Sequence, residues 1–199
     1  MTALVYRALS CAADLAETFE YPDDADRWRK VAAAIAENTA VFVDPERGYL
    51  RKGFLLQEDD SFQFDNTLDV SNAYGAMMFA TKAIGAAPIR ATYAGIEKLL
   101  LSSSPVGGSP RYEHDTYFQS DPPHMGNPWF VTTLWIAQYY LQTDRTEDAK
   151  NIVAWTLDRA LPSGALGEQI NPTTGEPLSV LPLVWSHAEL INTLLDLYG

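Results

Sequence analysis

An all-α fold of about seven helices is what this sequence predicts. Three observations lead there. Apolar residues recur at three- and four-residue steps along most of the chain, which is the spacing of one helix face. Residues that favour helix starts, namely acidic runs, Thr and first-turn Pro, stand ahead of several of these stripes. Gly, Pro, Ser and Asp gather in the gaps between them, where helices end and loops begin.

The first stripe is Leu4, Val5, Ala8, Leu9, Ala12, Leu15, Ala16 and Phe19. Asp23, Asp24 and Asp26 then suit a second helix N-terminus, where carboxylates complement the dipole, and Trp28, Val31, Ala32, Ile35 and Phe42 continue as its apolar face. Residues 44–66 carry turn signals (Asp44, Pro45, Gly48, Gly53) and read as a loop or short hairpin. A third helix is expected from about Asp69 to Ile84 and a fourth from about Pro88 to Leu101. The Ser-Pro-Gly run 102–110 breaks the pattern. A fifth helix starts near Pro128 and is apolar on most sides, so it should be an inner helix; Thr146 can cap a sixth. The last begins near Leu183 and presents Val184, His187, Ala188, Ile191, Leu194, Leu195 and Tyr198.

Composition excludes several classes of function. A net charge of −12 leaves no basic face for nucleic-acid phosphates, although it would not repel a neutral ligand. No apolar run reaches the roughly 18 residues of a membrane span. Asp14, Glu17 and Glu20 interrupt the only early apolar segment, so no secretory leader is visible and a cytoplasmic location is expected. Cys11 is alone, which rules out an intramolecular disulfide and a thiolate metal site; it reads as a small core residue on the first helix. His114, His124 and His187 lack partners at metal-ligand spacing, His187 reads as a core histidine, and the Gly-rich segments lack a following Lys-Ser/Thr. Neither a metal nor a cofactor is expected.

Two loops carry the candidate chemistry. Pro110 to Phe130 packs an Arg, five aromatics and three carboxylates into a stretch poor in long aliphatic side chains. Aromatic faces can cover the C–H face of a sugar ring while a forked cation and carboxylates hydrogen-bond its hydroxyls. Residues 162–182 hold four prolines and three glycines and present Glu168 and Glu176 ahead of the last helix. Loops longer than about 12 residues in a compact domain are usually functional.

The segments PRYEHDTY, GNPWFVTTLW and GEQINPTTGEPLSVLPLVWSHAEL, in that order, resemble glycoside hydrolase family 15, the glucoamylase and glucodextranase family. DNTLDVSNAYGAMMF resembles a weaker pattern of the same family. The resemblance implies an (α/α)6 barrel, two concentric rings of helices with the active site in the long loops at one end. It runs over nearly the whole chain but only the C-terminal half of the family's catalytic domain, so residues 1–199 are expected to form a single partial domain, an incomplete half toroid. Periodicity alone would equally allow a helical solenoid. The resemblance further implies inverting hydrolysis of terminal α-glucosidic bonds, with the general base on Glu168. Arg111 falls on the Arg of the family's Arg-Tyr motif, where it would bind substrate hydroxyls, and Trp129 on the Trp of Gly-Asn-Pro-Trp, a sugar-contacting wall. Trp185 falls on an aromatic just past the base loop, counted with the substrate-binding residues as a support for that loop. Glu176 matches no catalytic position and reads as a solvated turn residue.

The chain departs from the family at the general acid. The family's acidic pair after an aromatic precedes the helix that resembles residues 4–19, and no Trp-Glu-Glu occurs here. A base alone leaves the leaving-group oxygen unprotonated, and general-acid help is worth about 10²–10⁴ in rate. Glu113, Asp115 and Asp121 are poor substitutes: Asp115 reads as an orienter of Arg111 or Trp129, and Glu113 as solvated. The leading expectation is therefore a glucoamylase-type domain acting on an α-glucan oligosaccharide, with its base present and its acid missing, and a complementary N-terminal half or self-association as its partner. The rival is a non-catalytic carbohydrate-binding or protein-interaction module on the same degenerate half barrel.

Overall fold

The computed structural model describes every residue, 1–199, and contains eight α-helices and four short strands. The chain divides into two compact units, Met1–Asn66 with Asn72–Thr92, and Thr67–Ser71 with Tyr93–Gly199.

In the first unit α1 (Thr2–Thr18) packs on α2 (Pro22–Glu37). Asp23 and Asp24 stand in the first turn of α2, as the acidic run predicts, and Pro22 opens the helix ahead of them. The buried residues of the two helices are Ala13, Ala16, Ala25 and Ala32, small side chains that let helix backbones approach closely. This corrects the expected stripe. Leu4, Val5, Leu15 and Phe19 are 43–67% exposed, because the alanine face of α1, not its leucine face, meets α2. Phe42 lies past α2 in a 3₁₀ turn, Thr39–Phe42.

The expected loop or hairpin forms β1 (Gly53–Leu56) and β2 (Phe62–Asp65), antiparallel from Gly53↔Asp65 to Leu56↔Phe62. Phe42, Phe54, Phe62 and Phe64 cluster along it. The single helix expected over 69–84 is instead α3 (Val70–Phe79) and α4 (Thr81–Ile84), interrupted where Ala80 leaves helical geometry at φ −141°. Next, α5 (Ala86–Ile96) begins ahead of Pro88, and Glu97–Leu101 widens into a π turn.

The second unit is built on α6 (Phe130–Gln142), buried on every residue from Phe130 to Tyr140, as an inner helix should be. It packs against α7 (Thr146–Leu157) and α8 (Val184–Tyr198). Leu134 and Ile136 are fully buried, each worth roughly 1.5–3 kcal/mol of hydrophobic transfer. Phe130, Leu166 and Ile170 form a core that Val106, Trp155, Ala160 and Leu190 extend. Thr146 is not a cap. Arg145 occupies that position without a side-chain bond, and its guanidinium instead pairs with Glu97 and Asp148. The loop before α8 holds a two-residue hairpin, β3 (Gln169–Ile170) with β4 (Pro177–Leu178).

α8 reverses the expected polarity. It buries Ser186, Glu189 and Thr193, while Val184, Ile191, Leu195 and Tyr198 are 57–80% exposed. Hydrogen bonding explains the reversal: Gln138 of α6 donates to Glu189 Oε2 at 2.9 Å and to Thr193 Oγ1 at 3.2 Å, and Ser186 Oγ donates to the Gly167 carbonyl at 2.7 Å. Polar groups with buried partners pull that side inward, leaving the Val-Ile-Leu-Tyr stripe uncovered. No helix is long and apolar enough to cross a membrane.

Candidate active site

The aromatic loop is held by backbone pairing to two neighbours. Asp69 bridges Tyr112, and the Val70 N–H donates to the Arg111 carbonyl at 2.8 Å. Glu113, expected to be solvated, instead accepts the Leu68 N–H at 2.7 Å, so its carboxylate pins this segment. On the other side Trp129 bridges both Ser109 and Gln169. Two threonines in the first turn of α6 complete the frame. Thr132 Oγ1 donates to the Ser109 carbonyl, and Thr133 Oγ1 accepts the Ser109 N–H.

Arg111 and Asp115 form a forked ion pair, Nε to Oδ2 at 2.8 Å and Nη2 to Oδ1 at 2.7 Å. Asp115 is fully buried, and its Oδ1 also accepts the Tyr117 N–H at 3.1 Å. Gly126 makes this seat possible, because at φ 137° an added Cβ would stand 2.8 Å from both Cβ and O of Asp115. Hydrogen bonding to Asp115 holds the Arg111 guanidinium above the ordinary arginine range. The guanidinium lies 4.5 Å from the Trp129 ring centroid and 4.8 Å from that of Tyr117. Trp129 is 5% exposed, and its buried indole N–H has no partner.

The Glu168 loop meets this cluster through its backbone. The Phe130 N–H donates to the Glu168 carbonyl at 3.3 Å, and the Ile170 N–H to the Pro128 carbonyl at 3.0 Å. Glu168 is half-buried, and its Oε2 accepts from Ser179 Oγ and, at 3.3 Å, from Gln169 Nε2. Ser179 sits at φ 62°, just past β4. His187 Nε2 accepts the Leu166 N–H at 3.0 Å, which requires that nitrogen to be unprotonated. Glu176 is exposed in the turn between β3 and β4.

Of the four residues picked from the sequence, Arg111 and Trp129 stack on one another, and Glu168 is tied to their segment through its backbone carbonyl at Phe130. Trp185 does not join them. Half-exposed in the first turn of α8, it meets the Trp135 ring edge-on at 5.6 Å and donates to Glu189 Oε1 at 3.1 Å. Sequence reasoning missed Ser179, Gln169 and Asn127, whose roles depend on side chains that meet across loops. Only the Glu-Gln pair itself offered a local signal.

The family model for glycosyl hydrolases family 15 matches residues 2–163. The chain belongs to that family. The match covers the Arg111–Asp115 pair and Trp129 and stops short of Glu168. This family 15 chain is 27% identical to an uncharacterized glycosyl hydrolase of Methanocaldococcus jannaschii, over 92% of its own length and 29% of the relative's. Among solved structures it resembles a bacterial glucoamylase complexed with acarbose (TM-score 0.80, 21% identity, 98% of this chain, 32% of that one). It also resembles the glucoamylase of Saccharomycopsis fibuligera (TM-score 0.70, 19%, 98% and 54%). The glucoamylase from Hypocrea jecorina is similar as well (TM-score 0.70, 17%, 100% and 41%). The fold is that of the glucoamylase (α/α)6 barrel, and the chain spans between about a third and a half of the lengths it matches.

Proposed function

We propose that residues 1–199 form a partial catalytic domain supplying the general-base side of an inverting glycosidase site for terminal α-glucosidic bonds. Glu168 is the base, and Arg111 and Trp129 face the sugar. The supporting observation is the backbone bond between the Phe130 N–H and the Glu168 carbonyl, which ties the Glu168 loop to the residue next to Trp129, itself stacked on Arg111. The chemistry fits the hydrogen bonding. Both protein donors to the Glu168 carboxylate fall on Oε2, and no protein group donates to Oε1. An inverting base needs one oxygen held and the other open to take a proton from the attacking water. Arg111, already locked by Asp115, can turn its remaining N–H groups to sugar hydroxyls, with Trp129 beneath them. Trp185, packed on α6, supports the helix that follows the base loop.

The general acid comes from outside these residues, on this reading, because an alkoxide leaving group needs a proton donor as well as a base. The uncovered apolar stripes of α1 and α8 favour a partner: further chain that completes the ring, or a second copy. The decisive measurement is glucose release from maltose, isomaltose and trehalose by the chain alone and together with a polypeptide carrying the rest of the barrel. Release that requires both parts and disappears in Glu168→Gln is the expected result. Rapid release by the isolated chain overturns the missing-acid reading, and undiminished release in Glu168→Gln overturns the base. The same stripes favour the second reading, a non-catalytic interaction module; saccharide binding without release in either combination would favour it over the first.

A further inference from the structure

We infer that Asn127 is a positioning residue for Glu168, acting through the side-chain amide of Gln169 and tying the carboxylate to the loop that carries Tyr117 and Phe118. The inference rests on the reading of Glu168 as the base.

Asn127 is 1% exposed and Gln169 fully buried, so neither amide can rely on water. Asn127 uses every hydrogen-bonding group it has. Its Nδ2 donates to the Phe118 carbonyl at 2.7 Å and to Gln169 Oε1 at 2.8 Å. Its Oδ1 accepts from the Ser120 N–H at 3.2 Å and from Ser120 Oγ at 3.0 Å. The polarity of the chain of bonds follows from the backbone. A carbonyl only accepts and a peptide N–H only donates, so Phe118 and Ser120 fix which end of Asn127 is oxygen. Its nitrogen then faces Gln169, and the Gln169 atom opposite must be the carbonyl oxygen. That leaves the Gln169 NH2 turned to Glu168 Oε2, at 3.3 Å the longest link. Reversing Gln169 would set an oxygen against the carboxylate, and reversing Asn127 would set one against the Phe118 carbonyl. Two buried amides thus carry the orientation of one loop's backbone to the base on another, and in doing so keep Oε2 occupied and Oε1 free.

The loop end of the relay adjoins the sugar-facing groups. Tyr117 neighbours Phe118 in sequence, its ring sits 5.8 Å from that of Trp129, and it lies under Arg111. A saccharide that orders this loop would therefore also order the base.

The test uses the full chain with isotope-labelled Glu and Gln and the variants Gln169→Met, Asn127→Leu and the double. Gln169→Met keeps volume and leaves Asn127 three of its four bonds. A relay has a signature that two independent structural roles lack. Each single variant shifts the Glu168 carboxyl carbon resonance, and the double shifts it no further, because one chain of bonds is cut once or twice. Under conditions where glucose is released, kcat should fall about ten-fold with KM within about two-fold, the pattern of a lost transition-state interaction. A Glu168 resonance unmoved in both single variants, or shifts that add in the double, overturns the proposal. Glu168→Gln separates the two readings: undiminished release there sinks the base assignment, while the resonance experiment still decides the relay.

Discussion

Removing Arg111 while leaving Asp115 in place should destabilise the second unit sharply. In Arg111→Met the buried Asp115 carboxylate loses both Arg111 bonds, at 2.8 and 2.7 Å, and keeps two weaker neutral donors, the Tyr117 N–H at 3.1 Å and the Tyr112 hydroxyl. Breaking one side of a fully buried pair costs about 3–5 kcal/mol. The Arg111 side chain is 30% exposed, so water already screens part of the pair and can reach the stranded carboxylate, which lowers the expectation to about 2–3 kcal/mol. For a chain of this size each kcal/mol moves Tm by about 2–4 °C, giving a fall of about 4–12 °C by calorimetry or circular dichroism. Adding Asp115→Asn should restore most of it, since a carboxamide needs no counter-charge. The pH behaviour follows from the sign. A raised guanidinium contributes stability that is present below its unfolded pKa and lost only as pH rises beyond it, so the Arg111 contribution stays constant from neutral to mildly alkaline pH. A single variant melting within about 2 °C of wild type, or a double variant as unstable as the single, refutes the argument.

Gly126→Ala should cost about 2–4 kcal/mol, from a left-handed backbone position and a Cβ 2.8 Å from Asp115, and should also weaken saccharide binding by displacing Arg111; chemical denaturation and a binding titration check both effects. Tyr140 is buried beside Glu97, and burial pushes its hydroxyl up to about 12 from an ordinary 10.0. The unfolded chain therefore releases this proton first, and stability should fall as pH rises from 10 toward 12; Tyr140→Phe should remove this part of the alkaline loss in a pH series of denaturation midpoints. Ile191→Glu and Leu195→Glu on the outer stripe of α8 should change the isolated chain's stability by less than about 0.5 kcal/mol. They should also abolish association with whatever covers that stripe, as read by light scattering with the complementary polypeptide.

Much of the second unit was legible residue by residue. The GNPWFVTTLW run announces an inner helix because nearly every side chain in it is apolar or a threonine able to bond locally, and α6 is buried throughout. The acidic pair Asp23 and Asp24 marks the start of α2 through chemistry confined to one turn. The stripe of α1 was equally clear as a helix signal and misleading about burial. Periodicity reports that a face is apolar, whereas an alanine face on α2 decided which side was covered. Glu113 looked solvated because its partner, the Leu68 N–H, lies 45 residues away in sequence.

By itself the sequence determined the helical class, the order of helices and long loops, and the motifs around Arg111 and Trp129 that fall within the family match. These are properties of residues close together along the chain, where spacing and turn chemistry act directly. Only the tertiary structure decided that α8 turns Ser186, Glu189 and Thr193 inward, that Arg111 is locked by a buried Asp115, and that Asn127 reaches Glu168 through Gln169. Asn127 and Gln169 are 42 residues apart, and a hydrogen bond over that separation leaves no periodic trace. Burial fixes which polar groups must find one another, and burial is a property of the packed chain.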